Sequence, residues 1–233
     1  MIAWPTATEW SVVALSLKVS VLAVALTLPV AYALAWLLAR RRFPGRVLLD
    51  AAVHLPLVLP PVVTGWVLLL LFGRTGPLGH WLEQITGLVL VFRWTGAALA
   101  AAVMALPLMV RAMRLSIEAV DRRLVGAART LGATPWRAFL TVTLPLSLPG
   151  VMAGTMLGFA RSLGEFGATI TFASNIPGET RTLPLAIYSV LQVPGAESEV
   201  TRLAIISVLL SVAALLASEW LVRRSHGRRA HVL

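Results

Sequence analysis

Long apolar runs alternate with short polar segments along the 233 residues of this chain. Each of five runs is about long enough to cross a hydrocarbon core of roughly 30 Å as an α-helix. The runs cover residues 11–38, 47–72, 94–110, 146–172 and 203–222. Hydrophobic residues make up 58% of the chain and charged residues 13%, which is far too apolar for an ordinary soluble domain. The pattern predicts an all-α membrane protein with one transmembrane domain of about five helices over residues 10–222.

The arginines between these runs are unevenly distributed. Segments after the first, third and fifth runs hold 14 of the 20 basic residues. These 14 are Arg40, Arg41, Arg42, Arg46, Arg111, Arg114, Arg122, Arg123, Arg129, Arg137, Arg223, Arg224, Arg228 and Arg229. The positive-inside rule assigns their side to the cytoplasm, so we expect the N-terminus outside and residues 223–233 as a basic cytoplasmic tail. We interpret most of these arginines as orientation signals at the lipid surface, and not as ligands for nucleic acid.

Prolines interrupt the second apolar run. Pro56, Pro60 and Pro61 each remove a backbone donor, so this helix should be kinked or locally unwound. A passive kink tolerated by packing is an equal alternative. Residues 182–192 are apolar but too few to cross a bilayer, which predicts a re-entrant or interfacial helix.

The fourth run carries a glycine stripe and two charged residues. Gly150, Gly154 and Gly158 share one helix face and allow another backbone to approach closely, so we interpret them as a packing device. Arg161 and Glu165 lie one helical turn apart at membrane depth. They are candidates for a translocation pathway, with Thr169 as a neutral donor. A structural ion pair between Arg161 and Glu165 is the alternative, and we favour it slightly.

Residues 116–145, between the third and fourth runs, combine polar residues with helix breakers. Leu124, Ala128 and Leu131 recur at helical spacing and predict a short amphipathic helix. Gly132 stands where a glycine ends a helix in the left-handed conformation.

A second short helix should begin directly afterwards. Thr134 offers an N-cap hydroxyl and Pro135 suits the first helical position. Trp136, Phe139 and Leu140 give this helix a bulky apolar side. We therefore predict a compact cytoplasmic hairpin that Leu144-Pro145 closes before the fourth span. A mere connecting loop is the alternative, and a DNA-binding helix-turn-helix is less favoured because both ends are tethered to the membrane.

The hairpin resembles the cytoplasmic EAA loop of the importer-type permeases of ATP-binding cassette (ABC) transporters. That pattern is Glu-Ala-Ala, a Gly six residues after the Glu, a β-branched residue ten later, and Leu-Pro. The matching residues here are Ala127, Ala128, Gly132, Val142, Leu144 and Pro145. Gly126 stands where the pattern has Glu. The resemblance implies a coupling helix that sits in a groove of an ATPase subunit, and we expect Leu131, Trp136 and Phe139 to carry that contact.

Two further stretches resemble the permease subunits of molybdate importers. They are residues 158–192 (GFARSLGEFGATITFASNIPGETRTLPLAIYSVLQ) and 55–66 (LPLVLPPVVTGW). The likeness extends over most of the chain. It implies a type I ABC importer permease fold in the bacterial inner membrane and a homodimer with the pathway at the subunit interface, where the glycine stripe would be compatible with close packing.

The same resemblance implies partners that supply what the chain lacks. A dimer of cytoplasmic ABC ATPase subunits would bind ATP and Mg, and an external substrate-binding protein would deliver molybdate. The permease itself would then bind no cofactor or metal and have no catalytic residue. The chain has no cysteine, which excludes disulfides, thiolate metal sites and cysteine nucleophiles.

Other function classes remain open at this point. An ion-gradient-driven secondary transporter would show paired repeats and discontinuous helices in both halves, and the sequence shows neither. A membrane enzyme would need a cluster of polar residues at one membrane depth, and the four histidines are scattered. Within the importer class, tungstate or another oxyanion such as sulfate is an alternative cargo.

Overall fold

The computed structural model describes the backbone of residues 6–227 and the side chains of residues 6–214 and 216. This part of the chain is helical and contains no strand, which confirms the all-α prediction. The first six helices are α1 (Ala7–Arg40), α2 (Arg46–Val58), α3 (Pro61–Phe72), α4 (Pro77–Thr86), α5 (Trp94–Glu118) and α6 (Arg122–Thr130). They are followed by α7 (Pro135–Ala138), a π-helical turn (Phe139–Thr143), α8 (Leu144–Leu163), α9 (Gly167–Phe172), α10 (Leu183–Val190) and α11 (Glu197–Gly227).

Helix α5 is the centre of the bundle and packs against both α1 and α8. Small side chains form the contact between α1 and α5, and most of them are fully buried. They include Ala23, Ala31 and Ala35 on α1, and Ala97, Ala101 and Ala105 on α5. Because lipid chains are as apolar as leucine, association of such helices depends on close van der Waals packing, which small residues permit.

The glycine stripe of α8 faces α5 of the same chain. A Cβ atom added at Gly150 would overlap the side chain of Ser116, and one at Gly158 would lie 2.5 Å from the Sδ atom of Met109. At Gly154 it would lie 3.1 Å from the carbonyl oxygen of Met109. Since α5 occupies this face, the expectation that the stripe suits a subunit interface is wrong.

The second predicted span is broken in the middle. Helices α2 and α3 meet at an angle of 118°, across extended backbone at Leu59 and Pro60. Pro60 and Pro61 have no N–H group, so the helical hydrogen-bond ladder cannot continue through them. The predicted interruption of this helix is confirmed at Pro60 and Pro61, whereas Pro56 lies inside α2 and does not break it.

The fourth predicted span is also discontinuous, and here the prediction of one helix over residues 146–172 is wrong. Helix α8 ends at Leu163, and α9 begins at Gly167. This break touches the other one: a Cβ atom at Gly167 would lie 2.7 Å from the Cβ of Pro61. A Cβ atom at Gly65 would lie 2.6 Å from the carbonyl oxygen of Ala168. Glycine at both positions therefore lets α3 and α9 pack closely. Discontinuous helices thus occur in both halves of the chain, which corrects the expectation that they are absent.

Among the described residues, three continuous helices are long and apolar enough to cross a membrane: Ala7–Arg40, Trp94–Glu118 and Pro135–Leu163. The bent pair α2–α3 makes a fourth if it counts as one span. The predicted fifth span, residues 203–222, lies within α11, but most side chains of its second half are outside the described part. That span stays a prediction, as does the tail, of which only the backbone of residues 223–227 is described.

Two short helices flank this bundle. Helix α10 corresponds to the predicted short helix at residues 182–192, which confirms that helix. Its first backbone N–H group, at Leu183, donates to the Oγ atom of Ser16 on α1 at 2.7 Å. Helix α4 was not predicted. It begins at Pro77 and ends at Thr86, and the next residue, Gly87, adopts a left-handed conformation with φ of 71°.

Candidate functional site

The hairpin between α5 and α8 has capped ends. The side chain of Asp121 caps α6 by accepting a hydrogen bond from the N–H of Arg123 at 2.8 Å. At the other end Gly132 has φ of 88°, and the next N–H, of Ala133, donates to the carbonyl oxygen of Ala128. This is the hydrogen bond of a Schellman C-cap, and it satisfies a carbonyl that the helix leaves free. The predicted end of the first helix at Gly132 is confirmed.

The second helix of the hairpin begins as predicted. The Thr134 hydroxyl accepts a hydrogen bond from the N–H of Arg137 at 3.2 Å, and Pro135 occupies the first turn. The helix does not end at Leu144-Pro145, however, and the prediction that these residues close the hairpin is wrong. It continues through the π turn into α8, so that Pro135–Leu163 forms one helix. A π turn is wider than an α turn, which gives room to a proline ring that would otherwise meet a preceding carbonyl.

Aromatic contacts fix the second half of the hairpin to α1. The Phe139 ring meets the edges of Tyr32 and Trp36 on α1, with ring centroids 6.0 and 6.3 Å apart. The Tyr32 hydroxyl lies 2.9 Å from the Oγ atom of Ser147 in α8. Aromatic pairs of this geometry add about 1 kcal/mol each beyond their buried area. Phe139 is thus an anchor inside the protein.

Arg40 fixes the first half of the hairpin to α1. It is the last residue of α1, and its guanidinium donates to the carbonyl oxygens of Ile117 and Val120 at 2.9 and 3.0 Å. These carbonyls lie at the end of α5 and directly before α6, where the helical hydrogen-bond ladder of α5 stops. Arg40 is therefore more than an orientation signal at the lipid surface, and nothing in the sequence of the run Arg40–Arg42 distinguishes the one residue that makes these contacts.

Leu131 and Trp136 are the most exposed of the large apolar side chains on this anchored hairpin. Leu131 is 89% exposed and Trp136 is 67% exposed. Trp136 also stacks on Phe139 with ring centroids 5.3 Å apart, which limits its motion. Ala127 is exposed and Ala128 half-buried beside them. A rigid surface with exposed leucine and tryptophan is typical of a protein–protein contact, because such residues carry most of the energy of an interface.

The same hairpin also exposes basic residues. The four exposed arginines of the hairpin are Arg122, Arg123, Arg129 and Arg137. An apolar centre with a charged rim is the usual layout of a docking surface, and a positive rim favours an acidic partner. We refer to Leu131, Trp136 and these arginines together as the docking surface.

The charged pair of the fourth span lies at the break between α8 and α9. Arg161 and Glu165 form an ion pair with 2.5 Å between Nη1 and Oε2. Glu165 is 2% exposed, and its Oε1 atom accepts a hydrogen bond from the N–H of Ala168 at 2.8 Å. Glu165 therefore binds both the end of α8 and the start of α9. Arg161 keeps 25% of its side chain exposed, whereas Thr169 is buried.

These contacts support a structural role for the ion pair, which is the alternative that we favour slightly from the sequence. The carboxylate joins two helices across a break where the backbone ladder stops. Any role of Arg161 in a pathway would depend on its exposed part. Within the described residues no three His, Asp or Glu side chains come together in a way that could hold a metal ion.

Comparisons with known proteins agree with this architecture. Residues 28–227 match the family described as "Binding-protein-dependent transport system inner membrane component". The chain belongs to this family, and its fold is that of a type I ABC importer permease.

Individual relatives narrow the likeness. The chain is 60% identical over 220 residues to the molybdenum transport system permease protein ModB of Escherichia coli K12, covering 94% of this chain and 96% of that protein. It is 57% identical over 216 residues to ModB of Haemophilus influenzae, covering 93% and 94%. A solved structure of a bacterial ABC transporter that imports the acidic polysaccharide alginate matches with a TM-score of 0.76 at 16% identity, covering 94% of this chain and 80% of that one.

Proposed function

We propose that this chain is the permease subunit of an ATP-driven importer that moves molybdate across the bacterial inner membrane. The observation that carries the ATP-driven mechanism is the docking surface. Its two apolar side chains are exposed on a capped hairpin that Phe139 and Arg40 hold against the bundle. A surface so fixed transmits force, whereas a flexible linker would absorb it. Molybdate is supported by the 60% identity to the Escherichia coli molybdenum permease over nearly the whole chain.

In this proposal the chain hydrolyses no ATP and binds no cofactor itself. A dimer of ATPase subunits binds ATP and Mg, and each ATPase subunit receives the docking surface of one permease in a groove. Two copies of the chain form the permease, with the pathway between them. An external binding protein delivers the oxyanion.

The orientation follows from charge. Ten arginines lie on the hairpin, near the end of α5 that precedes it and around the end of α1, against Arg74, Arg93, Arg181 and Arg202 on the opposite side, so the positive-inside rule assigns the hairpin side to the cytoplasm. The N-terminus then lies in the periplasm and the C-terminus in the cytoplasm. This places the docking surface on the side where ATP is available.

The test is reconstitution of the chain with its ATPase subunit in proteoliposomes, with the external binding protein added. We expect molybdate uptake that requires ATP. An excess of unlabelled molybdate should inhibit the uptake of labelled molybdate far more than the same excess of sulfate does. Uptake that persists without ATP but follows an ion gradient would contradict the proposal. Uptake that sulfate inhibits as well as molybdate does would assign a different cargo.

A further inference from the structure

A cavity of about 680 Å³ lies at the end of the bundle opposite the hairpin. It forms where α3 ends and α5 begins, whereas the hairpin follows the other end of α5. Its wall includes the apolar residues Leu69, Val91 and Phe92 and the basic residues Arg74 and Arg93. The proposed orientation places the opening of this cavity on the periplasmic side.

The two arginines of the cavity are exposed and available to a ligand. Among the side chains that the structure describes, residues 6–214 and 216, neither guanidinium forms an ion pair or a hydrogen bond with another side chain. No carboxylate lies on the cavity wall. The carboxylate of Glu179 is close in the fold, but it accepts from the backbone N–H of Trp94 at 3.4 Å and does not pair with Arg93. The cavity is therefore positively charged.

The backbone beside each arginine of the cavity forms a tight turn, and one of the two contains a strained residue. Phe92, directly before Arg93, has φ of 60°. A left-handed conformation costs a residue other than glycine about 1 kcal/mol or more, and such strain is concentrated at functional sites. Arg74 lies in a tight turn that the N–H of Gly76 closes by donating to the carbonyl oxygen of Gly73 at 2.9 Å. Both arginines thus project from fixed turns.

We propose that this cavity binds a tetrahedral oxyanion between Arg74 and Arg93. A guanidinium matches such an anion because its N–H groups donate two parallel hydrogen bonds to adjacent oxygens. The open mouth of the cavity keeps the bound anion exchangeable.

Two sources of such an anion share this chemistry. One is the transported oxyanion, released by the external binding protein, and this choice rests on the proposed function. The other is the phosphate of a phospholipid headgroup, whose acyl chains would lie along the apolar wall. The inference that an anion binds here depends only on the cavity, on its positive charge and on the fixed backbone around it.

The test uses the complete transporter, with its ATPase subunits, in nanodiscs and without the binding protein. Equilibrium binding of radiolabelled molybdate is compared between the wild type and the double variant Arg74→Gln/Arg93→Gln. We expect at least a tenfold loss of affinity in the double variant and an intermediate loss when both arginines are replaced by lysine. Arg181→Gln is the matched control. Arg181 lies at the same end of the bundle, but it contacts Asn175 and does not line the cavity, so its loss should change affinity less than twofold.

A second measurement tests whether a phospholipid headgroup is the source of the bound anion. Native mass spectrometry counts the phospholipids retained by the purified transporter, and a lipid-bound site predicts one more on the wild type than on the double variant. Weaker molybdate binding by the double variant would support a site for the transported oxyanion. One fewer retained phospholipid on the double variant would support a site for a lipid headgroup. Equal molybdate binding and equal lipid retention in monodisperse samples of both proteins would overturn it. Failure of ATP-dependent molybdate uptake by the wild type would refute the proposed function but would not change this comparison.

Discussion

Glycines in α8 and in the hairpin that precedes it are subject to opposite constraints. Gly150 and Gly158 leave no room for a Cβ atom because side chains of α5 fill the space. Gly126 in the middle of α6 has nothing within 4 Å of such an atom, and Leu131 beside it is almost fully exposed. The bundle is therefore shaped by internal packing, whereas the hairpin presents a surface whose partner is another molecule. Substitutions in the two regions should consequently fail in different assays.

The largest expected effect is on folding, at the contact between α8 and α5. Gly150→Val would drive a branched side chain into Ser116 and the backbone of Ala112. Overpacking costs typically 1–3 kcal/mol where a core can relax, and the backbone here restricts relaxation. We expect almost no monodisperse protein on size exclusion. Gly126→Val is the matched control and should purify normally, so equal yields of the two variants would refute the packing account.

The next effect falls on partner binding, at the docking surface. The double variant Leu131→Ala/Trp136→Ala should bind the ATPase subunit at least tenfold more weakly, a loss of about 1.4 kcal/mol or more. Its melting temperature should fall little, because both side chains are largely exposed. Titration of the ATPase subunit onto the purified permease measures this. Trp81→Ala, which removes an exposed tryptophan from α4, is the control and should leave the affinity unchanged.

A smaller effect is expected at the break between α8 and α9. Glu165→Ala removes both the ion pair with Arg161 and the hydrogen bond from Ala168, which should lower the free energy of unfolding by about 2 kcal/mol. Glu165→Gln keeps an oxygen acceptor for Ala168 and should cost less. Arg161→Gln with a normal ATPase rate but no uptake would instead assign Arg161 to the pathway.

The smallest effect is expected at Gly126. Gly126→Ala should raise the stability of the hairpin helix by up to about 1 kcal/mol, since alanine favours the helix and the site has space. Gly126→Glu, which restores the pattern of the EAA loop, should change coupled transport by less than about twofold. A large gain in uptake per ATP would show that a carboxylate at this position contributes to coupling, contrary to the assignment of the contact to Leu131 and Trp136.

Local chemistry explains why the hairpin was predictable from sequence. Gly132, Thr134 and Pro135 act through their own backbone or the next turn, so their roles are encoded within a few residues. The break at Pro60 and Pro61 follows from missing N–H groups in the same way.

Contacts between distant segments were not predictable. The glycine stripe shows that a close neighbour exists but does not identify it as α5. Arg40 caps carbonyls about 80 residues away, and one basic run gives no sign of which arginine does so. A π turn precedes Pro145, and Phe139 within that turn packs against α1, a contact that the sequence does not reveal.

The most direct test of the account is the accessibility of position 131 to a thiol reagent. The chain has no cysteine, so Leu131→Cys and Trp81→Cys each introduce a single reactive site. In the permease alone both cysteines should react rapidly, because both positions are exposed. With the ATPase subunit bound, labelling at position 131 should slow at least tenfold while labelling at position 81 is unchanged. Equal labelling at position 131 with and without a bound ATPase subunit would contradict the claim that this hairpin is the docking surface.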